Sequence, residues 1–351
     1  MDGKFARVAG CLPRSTDRRS VLDMTPSPLA PRQLGTSGLT VSPVGLGCNN
    51  IGSTSTPAGD QVGADALVHA ALDAGITLFD TADMYGTVNG ASEELLGRAL
   101  GKRRHEIVLA TKFGLDMGEQ AAINAPRGSR RYIIAAVEAS LTRLGTDYID
   151  LYQYHSPDPL TPIEETLSAL DDLVHAGKVR YIGHSNRSGW QIAQAHYVAR
   201  EIGATRFISS QSHYNLLDRR AELEVLPAAL ELGLGVLPYF PLANGLLTGK
   251  YRRGQAAPEG SRLAGRKAHL LETAPWDQLD EFFAVADSAG LTPLQLAISW
   301  LAAQSPVTSV IAGATTPAQI EANARAAVRL DPEIVGRVGD IFPAPPKIAL
   351  F

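Results

Sequence analysis

Ile107-Val108-Leu109-Ala110-Thr111-Lys112 is an apolar run that finishes on an ammonium. Its neighbours along the chain follow the same plan. Thr77-Leu78-Phe79-Asp80 finishes on a carboxylate, with Tyr85 in the short loop beyond it, and Ile149-Asp150-Leu151-Tyr152-Gln153-Tyr154-His155 finishes on an imidazole. Short, nearly continuous apolar runs read as strands buried on both faces. Three in a row that end on ionisable groups are more than a packed core asks for. In a barrel of parallel strands, neighbouring strand ends share one rim, and catalytic groups gather there. The pattern predicts such a barrel with Asp80, Tyr85, Lys112 and His155 on that rim.

Working outward, the chain from Arg32 repeats one theme. Strand candidates lie at 44–49, 77–80, 107–112, 149–155, 179–185, 207–211, 235–239 and 308–313. Helical patterns fall at 64–74, 92–100, 131–143, 163–176, 189–202, 222–232, 293–303 and 317–328. Strands alternating with amphipathic helices mean a parallel sheet covered on both faces, and eight units of this length suit a (β/α)8 barrel. Ser92 is placed to cap its helix with Glu93 and Glu94 in the first turn, and Thr316 stands before Pro317. Gly75, Gly177, Gly203 and Gly233 each follow a helical run, where a left-handed residue ends the helix. Residues 32–35 and 39–42 flank a Gly/Ser turn and read as a hairpin that seals the lower end of the barrel. The rival is a doubly wound nucleotide-binding sheet. It needs G-x-G-x-x-G after an early strand, but Gly45-Leu46-Gly47 and Gly233-Leu234-Gly235 both lack the third glycine.

The bulk properties narrow the function. The chain has 351 residues, is 45% hydrophobic and 19% charged, and carries a net charge of −4. That is an ordinary globular composition with no nucleic-acid footprint. No stretch reaches the length of a membrane helix, no zinc-type spacing argues for a metal, and two cysteines, Cys11 and Cys48, make no disulfide framework. A reducing cytoplasm is the expectation. The sequence does not set an oligomeric state. Residues 1–31, rich in Pro, Ser and Arg without an apolar period, read as a disordered extension ahead of a barrel over 32–351, with Met24 as an alternative start.

The four rim residues make a coherent proton donor. A phenol is a weak acid, with a pKa near about 10, and a neighbouring ammonium favours its phenolate. Asp80 holds the Lys112 ammonium, and His155 offers a second hydrogen bond to a carbonyl oxygen or relays a proton. Such a site protonates an oxygen as negative charge develops on it, so the electrons have to come from a cofactor. Among the lesser candidates, Asp83 reads as a solvated loop charge. His184, Tyr152, Trp190, Trp276 and Trp300 read as packing residues, and Met84 and Phe113 as possible apolar walls of a substrate pocket.

An ordered set of motifs carries a resemblance over residues 32–328. Phe79-Asp80-Thr81-Ala82-Asp83-Met84-Tyr85-Gly86 with Gly90-Ala91-Ser92-Glu93-Glu94-Leu95-Leu96-Gly97, Ala110-Thr111-Lys112, Asp150-Leu151-Tyr152-Gln153-Tyr154-His155, Ile182-Gly183-His184-Ser185-Asn186 and Pro241-Leu242-Ala243-Asn244-Gly245-Leu246-Leu247-Thr248-Gly249-Lys250-Tyr251 resemble the aldo-keto reductase superfamily. The resemblance implies a (β/α)8 barrel that reduces a small aldehyde or ketone with a nicotinamide dinucleotide. Tyr85 is then the general acid, tuned by Lys112 and Asp80, with His155 orienting the carbonyl. It implies Ser185, Asn186 and Gln211 at the carboxamide and Tyr239 stacked on the nicotinamide. Phe240, Pro241, Leu242, Asn244, Leu246 and Lys250 fall at the pyrophosphate. Gly313, Ala314, Thr315, Thr316, Gln319 and Asn323 fall at the adenosine 2′-phosphate. Gly313 and Gln319 stand where some branches use Lys and Arg, so NADP(H) is expected with NAD(H) as the alternative. Two other functions fit the same barrel: a Schiff-base aldolase using Lys112, and a nucleotide-sensing subunit resembling potassium-channel β subunits.

Overall fold

The computed structural model describes residues 30–346 except 119, 120, 122 and 266. The expected extension over 1–31, with Cys11 and Met24, lies outside the described residues apart from Ala30 and Pro31. Strands β1 (Arg32–Gln33) and β2 (Thr40–Val41) pair antiparallel. The chain then alternates β3 (Val44–Gly47), α1 (Gln61–Asp73), β4 (Leu78–Asp80), α2 (Ala91–Leu100), β5 (Val108–Phe113), α3 (Arg130–Leu144), β6 (Ile149–Tyr154), α4 (Ile163–His175), β7 (Val179–Ser185), α5 (Gly189–Glu201), β8 (Ser209–His213), α6 (Val225–Leu232) and β9 (Gly235–Tyr239). It finishes with α7 (His269–Glu272), α8 (Trp276–Ser288), α9 (Pro293–Ala303), β10 (Val310–Gly313), α10 (Pro317–Ala324) and α11 (Pro332–Ile341).

Strands β3 to β10 form one parallel eight-stranded sheet in the order β10-β3-β4-β5-β6-β7-β8-β9. Two bonds bring its ends together: Val236 N–H donates to Pro306 C=O (3.0 Å) and Thr308 N–H to Val236 C=O (2.9 Å). This is the expected (β/α)8 barrel. Its logic is the two-residue period of a strand. Outward residues Phe79, Leu109, Phe113, Tyr152 and Tyr154 join the layer under the helices. Inward residues Leu78, Val108, Ala110, Leu151, Leu237 and Ile311 fill the lower barrel. Continuing upward on the same inward positions, β4, β5 and β6 reach Asp80, Lys112 and Gln153. The polar site therefore sits on an apolar floor.

The hairpin closes that floor as expected. Leu34 and Val41, both fully buried, pack into the inward cluster. Gly35, at φ +58°, lies so close to β9 that an added Cβ would sit 2.4 Å from the Gly233 carbonyl oxygen. Only glycine fits that approach.

Several expectations shift. The sixth barrel strand runs over Ser209–His213 rather than 207–211, because its polar Ser-Ser-Gln-Ser core hides it from an apolar-run reading. Helix α2 starts from Gly90, in the left-handed region, and not from Ser92, whose hydroxyl is engaged elsewhere. Helices α8 and α11 were not anticipated. Both pack on the barrel, burying Leu279, Phe282 and Phe283 of α8 and Val338 and Ile341 of α11. Gly75, Gly177, Gly203 and Gly233 all have positive φ, and Thr316 caps α10, as read from the sequence.

Candidate active site

The C-terminal ends of β4, β5 and β6 bring the four rim residues together. Lys112 is fully buried, and its ammonium donates to Asp80 Oδ2 (2.6 Å), to Thr81 C=O (2.8 Å) and to Tyr85 Oη (3.3 Å). Tyr85, half-buried, meets the His155 ring edge-on with centroids 6.0 Å apart. Asp80 carries more than its ion pair. Gln153 and Gln211 both donate from Nε2 to its Oδ1, at 2.9 and 2.8 Å. Gln153 was missed by the sequence reading, although it shares the inward period of Leu151 and His155.

The electrostatics follow from burial and neighbours. Burial raises the Tyr85 pKa by more than Lys112 lowers it, so the phenol is held above its ordinary value. That corrects the expectation of a net downward shift, and it leaves Tyr85 a protonated donor. Burial opposes the Lys112 ammonium, but Asp80 and Tyr85 outweigh it and the net shift is upward. His155 is pushed down to about 3 by burial and by the Lys112 charge, so its imidazole is neutral. Its Nδ1 is buried without a partner among the described residues. A neutral imidazole carries one N–H donor and one acceptor nitrogen.

A second group of expected residues continues the rim over β7, β8 and β9. Asn186 links it to the first, donating from Nδ2 to His155 C=O (2.9 Å) and Ser185 Oγ (3.0 Å) while accepting from the Tyr239 hydroxyl (2.8 Å). Ser185 Oγ donates to Gln211 C=O (2.8 Å). One face of Tyr239 is stacked by His213, centroids 5.4 Å apart. Among the described residues, the four non-glycine residues with positive φ are Asn186, Phe240, Ala243 and Asn244, all on this rim. Such conformations cost about 1–3 kcal/mol each and persist where function needs the backbone turned.

The remaining expected residues flank that turn. Pro241 and Leu246 are buried, Leu242 and Asn244 half-buried, and Phe240 and Lys250 exposed. Gly313, Ala314, Thr315 and Thr316 lead from β10 into α10. Gln319 Oε1 accepts from Thr315 N–H (2.8 Å), and Asn323 Nδ2 donates to Gly313 C=O (3.4 Å). The sequence reading missed two cations on this rim. Lys267 Nζ donates to Asn244 Oδ1 (3.0 Å), and Arg262 Nη2 to Asn50 Oδ1 (3.3 Å), while Asn50 Nδ2 donates to Ala314 C=O (3.0 Å). The signal was the Arg- and Lys-rich stretch that follows Lys250.

Other readings change. Asp83 is buried, 2% exposed, not solvated. Phe113 points away from the site, stacked between Tyr152 and Tyr154 at 4.7 and 5.0 Å, and cannot wall a pocket there. Trp190 is 62% exposed rather than packed, while Tyr152, His184 and Trp300 are buried as read.

A parallel barrel with ionisable groups gathered at its strand ends defines a barrel enzyme class, and comparison supplies the family. The model for the aldo/keto reductase family matches residues 43–341, and the chain belongs to that family. Among its relatives is the uncharacterized oxidoreductase YrpG of Bacillus subtilis, 39% identical over 89% of this chain and 95% of that protein. A putative voltage-gated potassium channel subunit beta of Schizosaccharomyces pombe is 36% identical over 89% and 92%. The L-glyceraldehyde 3-phosphate reductase of Escherichia coli is 35% identical over 84% and 86%. The family acts on small carbonyl compounds with nicotinamide cofactors.

Proposed function

We propose that this protein is an NADP(H)-dependent reductase of a small aldehyde or ketone, with Tyr85 as general acid. The observation that carries the reading is the Lys112 ammonium, bound at once to Asp80 Oδ2 (2.6 Å) and Tyr85 Oη (3.3 Å). It places a fixed positive charge beside the oxygen that loses its proton, and a preorganised charge of this kind is worth most in a site that excludes water. The neutral His155 donates a hydrogen bond to the substrate carbonyl oxygen and orients it. Tyr85 then delivers its proton to that oxygen, and Lys112 stabilises the phenolate left behind. Asp80 keeps the ammonium in place, and Gln153 and Gln211 keep Asp80 in place.

The rim chemistry fits a dinucleotide. Tyr239 presents an aromatic ring, and Ser185, Asn186 and Gln211 supply amide and hydroxyl partners for a carboxamide. The turned backbone at 240–245 and the cations Lys250, Arg262 and Lys267 suit a pyrophosphate and a 2′-phosphate. When bound, the nicotinamide supplies the hydride. Arg262 and Lys267 favour NADP(H) even though Gly313 and Gln319 bring no charge.

The aldolase reading loses ground because a Schiff-base amine needs a depressed pKa, and that of Lys112 stands raised. A nucleotide-sensing subunit remains the second reading, favoured by the potassium channel subunit relatives. The deciding experiment follows nicotinamide absorbance across a panel of aldehydes and ketones with NADPH and with NADH. Oxidation of NADPH with at least one carbonyl supports the reductase. Tight cofactor binding with no turnover on the whole panel supports the sensing subunit.

A further inference from the structure

Behind the strand ends, on the side away from the barrel interior, lie two fully buried polar residues that the mechanism does not use. Ser92 and Glu93 sit side by side in the first turn of α2, each 0% exposed. Ser92 has given up the capping role its position suggested. Its N–H donates to Tyr85 C=O (3.1 Å), its hydroxyl donates to Cys48 C=O (2.9 Å), and it meets the Thr81 hydroxyl at 3.0 Å. Glu93 Oε1 accepts from the Thr111 hydroxyl (2.5 Å), and its Oε2 is held by Arg143 of α3 (2.7 Å).

The partners are the point. Thr81 follows Asp80, and its own carbonyl accepts from the Lys112 ammonium. Thr111 precedes Lys112. Tyr85 is gripped by its own carbonyl. One dipeptide thus holds three working residues, each through its backbone or its immediate neighbour. Buried ion pairs are weak devices for stability, since apolar residues of similar volume often serve as well. A buried carboxylate that ends on a strand hydroxyl is better suited to fixing geometry. The start of a helix is also a favourable place for its charge.

We propose that Ser92-Glu93 is a positioning clamp that sets the Tyr85–Lys112–Asp80 geometry from outside the barrel. Neither residue touches substrate. The clamp rests on the assignment of Tyr85 as the proton donor, and it adds to that assignment a fixed register between α2 and the ends of β4 and β5.

The test measures kcat, KM, the solvent deuterium isotope effect on kcat and the NADPH dissociation constant, with 4-nitrobenzaldehyde as the carbonyl probe. Glu93→Gln and Thr111→Val weaken the same contact from its two ends. Both should lower kcat by roughly 10–100-fold, the scale of a displaced catalytic group, with NADPH affinity within about twofold. The isotope effect should grow as proton delivery becomes slower. Thr111→Ser, which restores the hydroxyl, should recover most of kcat. The double variant should be no worse than the poorer single one, because coupled residues do not add. Folded variants with wild-type kcat would overturn the clamp. So would lost activity with an unchanged isotope effect and additive losses. Tyr85→Phe, run alongside, separates the two readings. If it stays active, the proton-donor assignment fails; if it is inactive while Glu93→Gln and Thr111→Val are unaffected, only the clamp fails. Should Glu93→Gln not fold, Thr111→Val and Thr111→Ser decide, since both leave the Glu93–Arg143 pair intact.

Discussion

Tyr85 is a phenol raised above its ordinary pKa, so it holds its proton throughout the neutral range, as the proposed general acid must. Tyr85→Phe should therefore cut carbonyl reduction by ~10²–10⁴-fold, the usual worth of a general acid, and leave NADPH affinity unchanged by fluorescence titration. A variant that keeps half of the wild-type kcat would refute the assignment. His155 makes a stability statement instead. Its pKa is about 3 in the folded protein and near about 6.5 in the unfolded chain, so the unfolded chain takes the proton first. The stability contributed by the neutral imidazole is complete above pH ~6.5 and is lost as pH falls towards 3, at up to roughly 1.4 kcal/mol per unit. His155→Gln should flatten the fall of Tm between pH 6 and pH 4. His184, also buried and held well below its ordinary pKa, keeps part of the slope in that variant. These residues were legible in the sequence because each ends or follows an apolar run. Gln153 and Glu93 were not, because an uncharged amide inside a strand and an acid in a helix's first turn look ordinary until their partners are known.

At the scale of elements, nearly continuous apolar runs made seven of the strands readable to within two residues at either end. β8 was displaced as a whole, by two residues at both ends, since polar Ser and Gln replace apolar residues there. α8 carries a clear apolar face in Leu279, Phe282 and Phe283 but sits inside a long loop-like stretch. The Asp331-Pro332 start of α11 is a plain capping pair that the strand-helix alternation alone does not pick out. The junction of β4, α2 and β5 also holds a liability. Asp83 is buried beside Glu93 with one carboxylate oxygen unpartnered among the described residues, and burial, then Glu93, pushes its pKa well up. A raised carboxyl pKa means stability that is present below about pH 4 and lost as pH rises towards the folded value. Asp83→Asn keeps the shape without the titration. It should raise Tm at pH 7 by roughly 2–8 °C and change it little at pH 4. Equal gains at both pH values would show that charge is not the cause.

For the whole molecule, the apolar floor and the hairpin beneath it separate folding from chemistry. Leu34→Ala removes a fully buried plug residue far from the rim and should cost about 2–5 kcal/mol. Chemical denaturation should register that loss while kcat at 25 °C stays close to wild type. Cofactor should act in the opposite sense. A ligand that binds only the folded protein stabilises it by about 2.7 kcal/mol at a hundredfold excess over its dissociation constant. NADPH should therefore raise Tm more than NADH at equal concentration, if Arg262 and Lys267 meet a 2′-phosphate. The carboxylate of Asp80 sits where these two halves meet. It takes hydrogen bonds from β5, β6 and β8 while standing on β4, so one side chain laces four of the eight staves at the mouth. An experimenter who alters Asp80 to probe catalysis also cuts a hoop. The rate of such a variant has meaning only beside its melting curve, and a lineage drifting away from this chemistry has a mechanical reason to keep the acid.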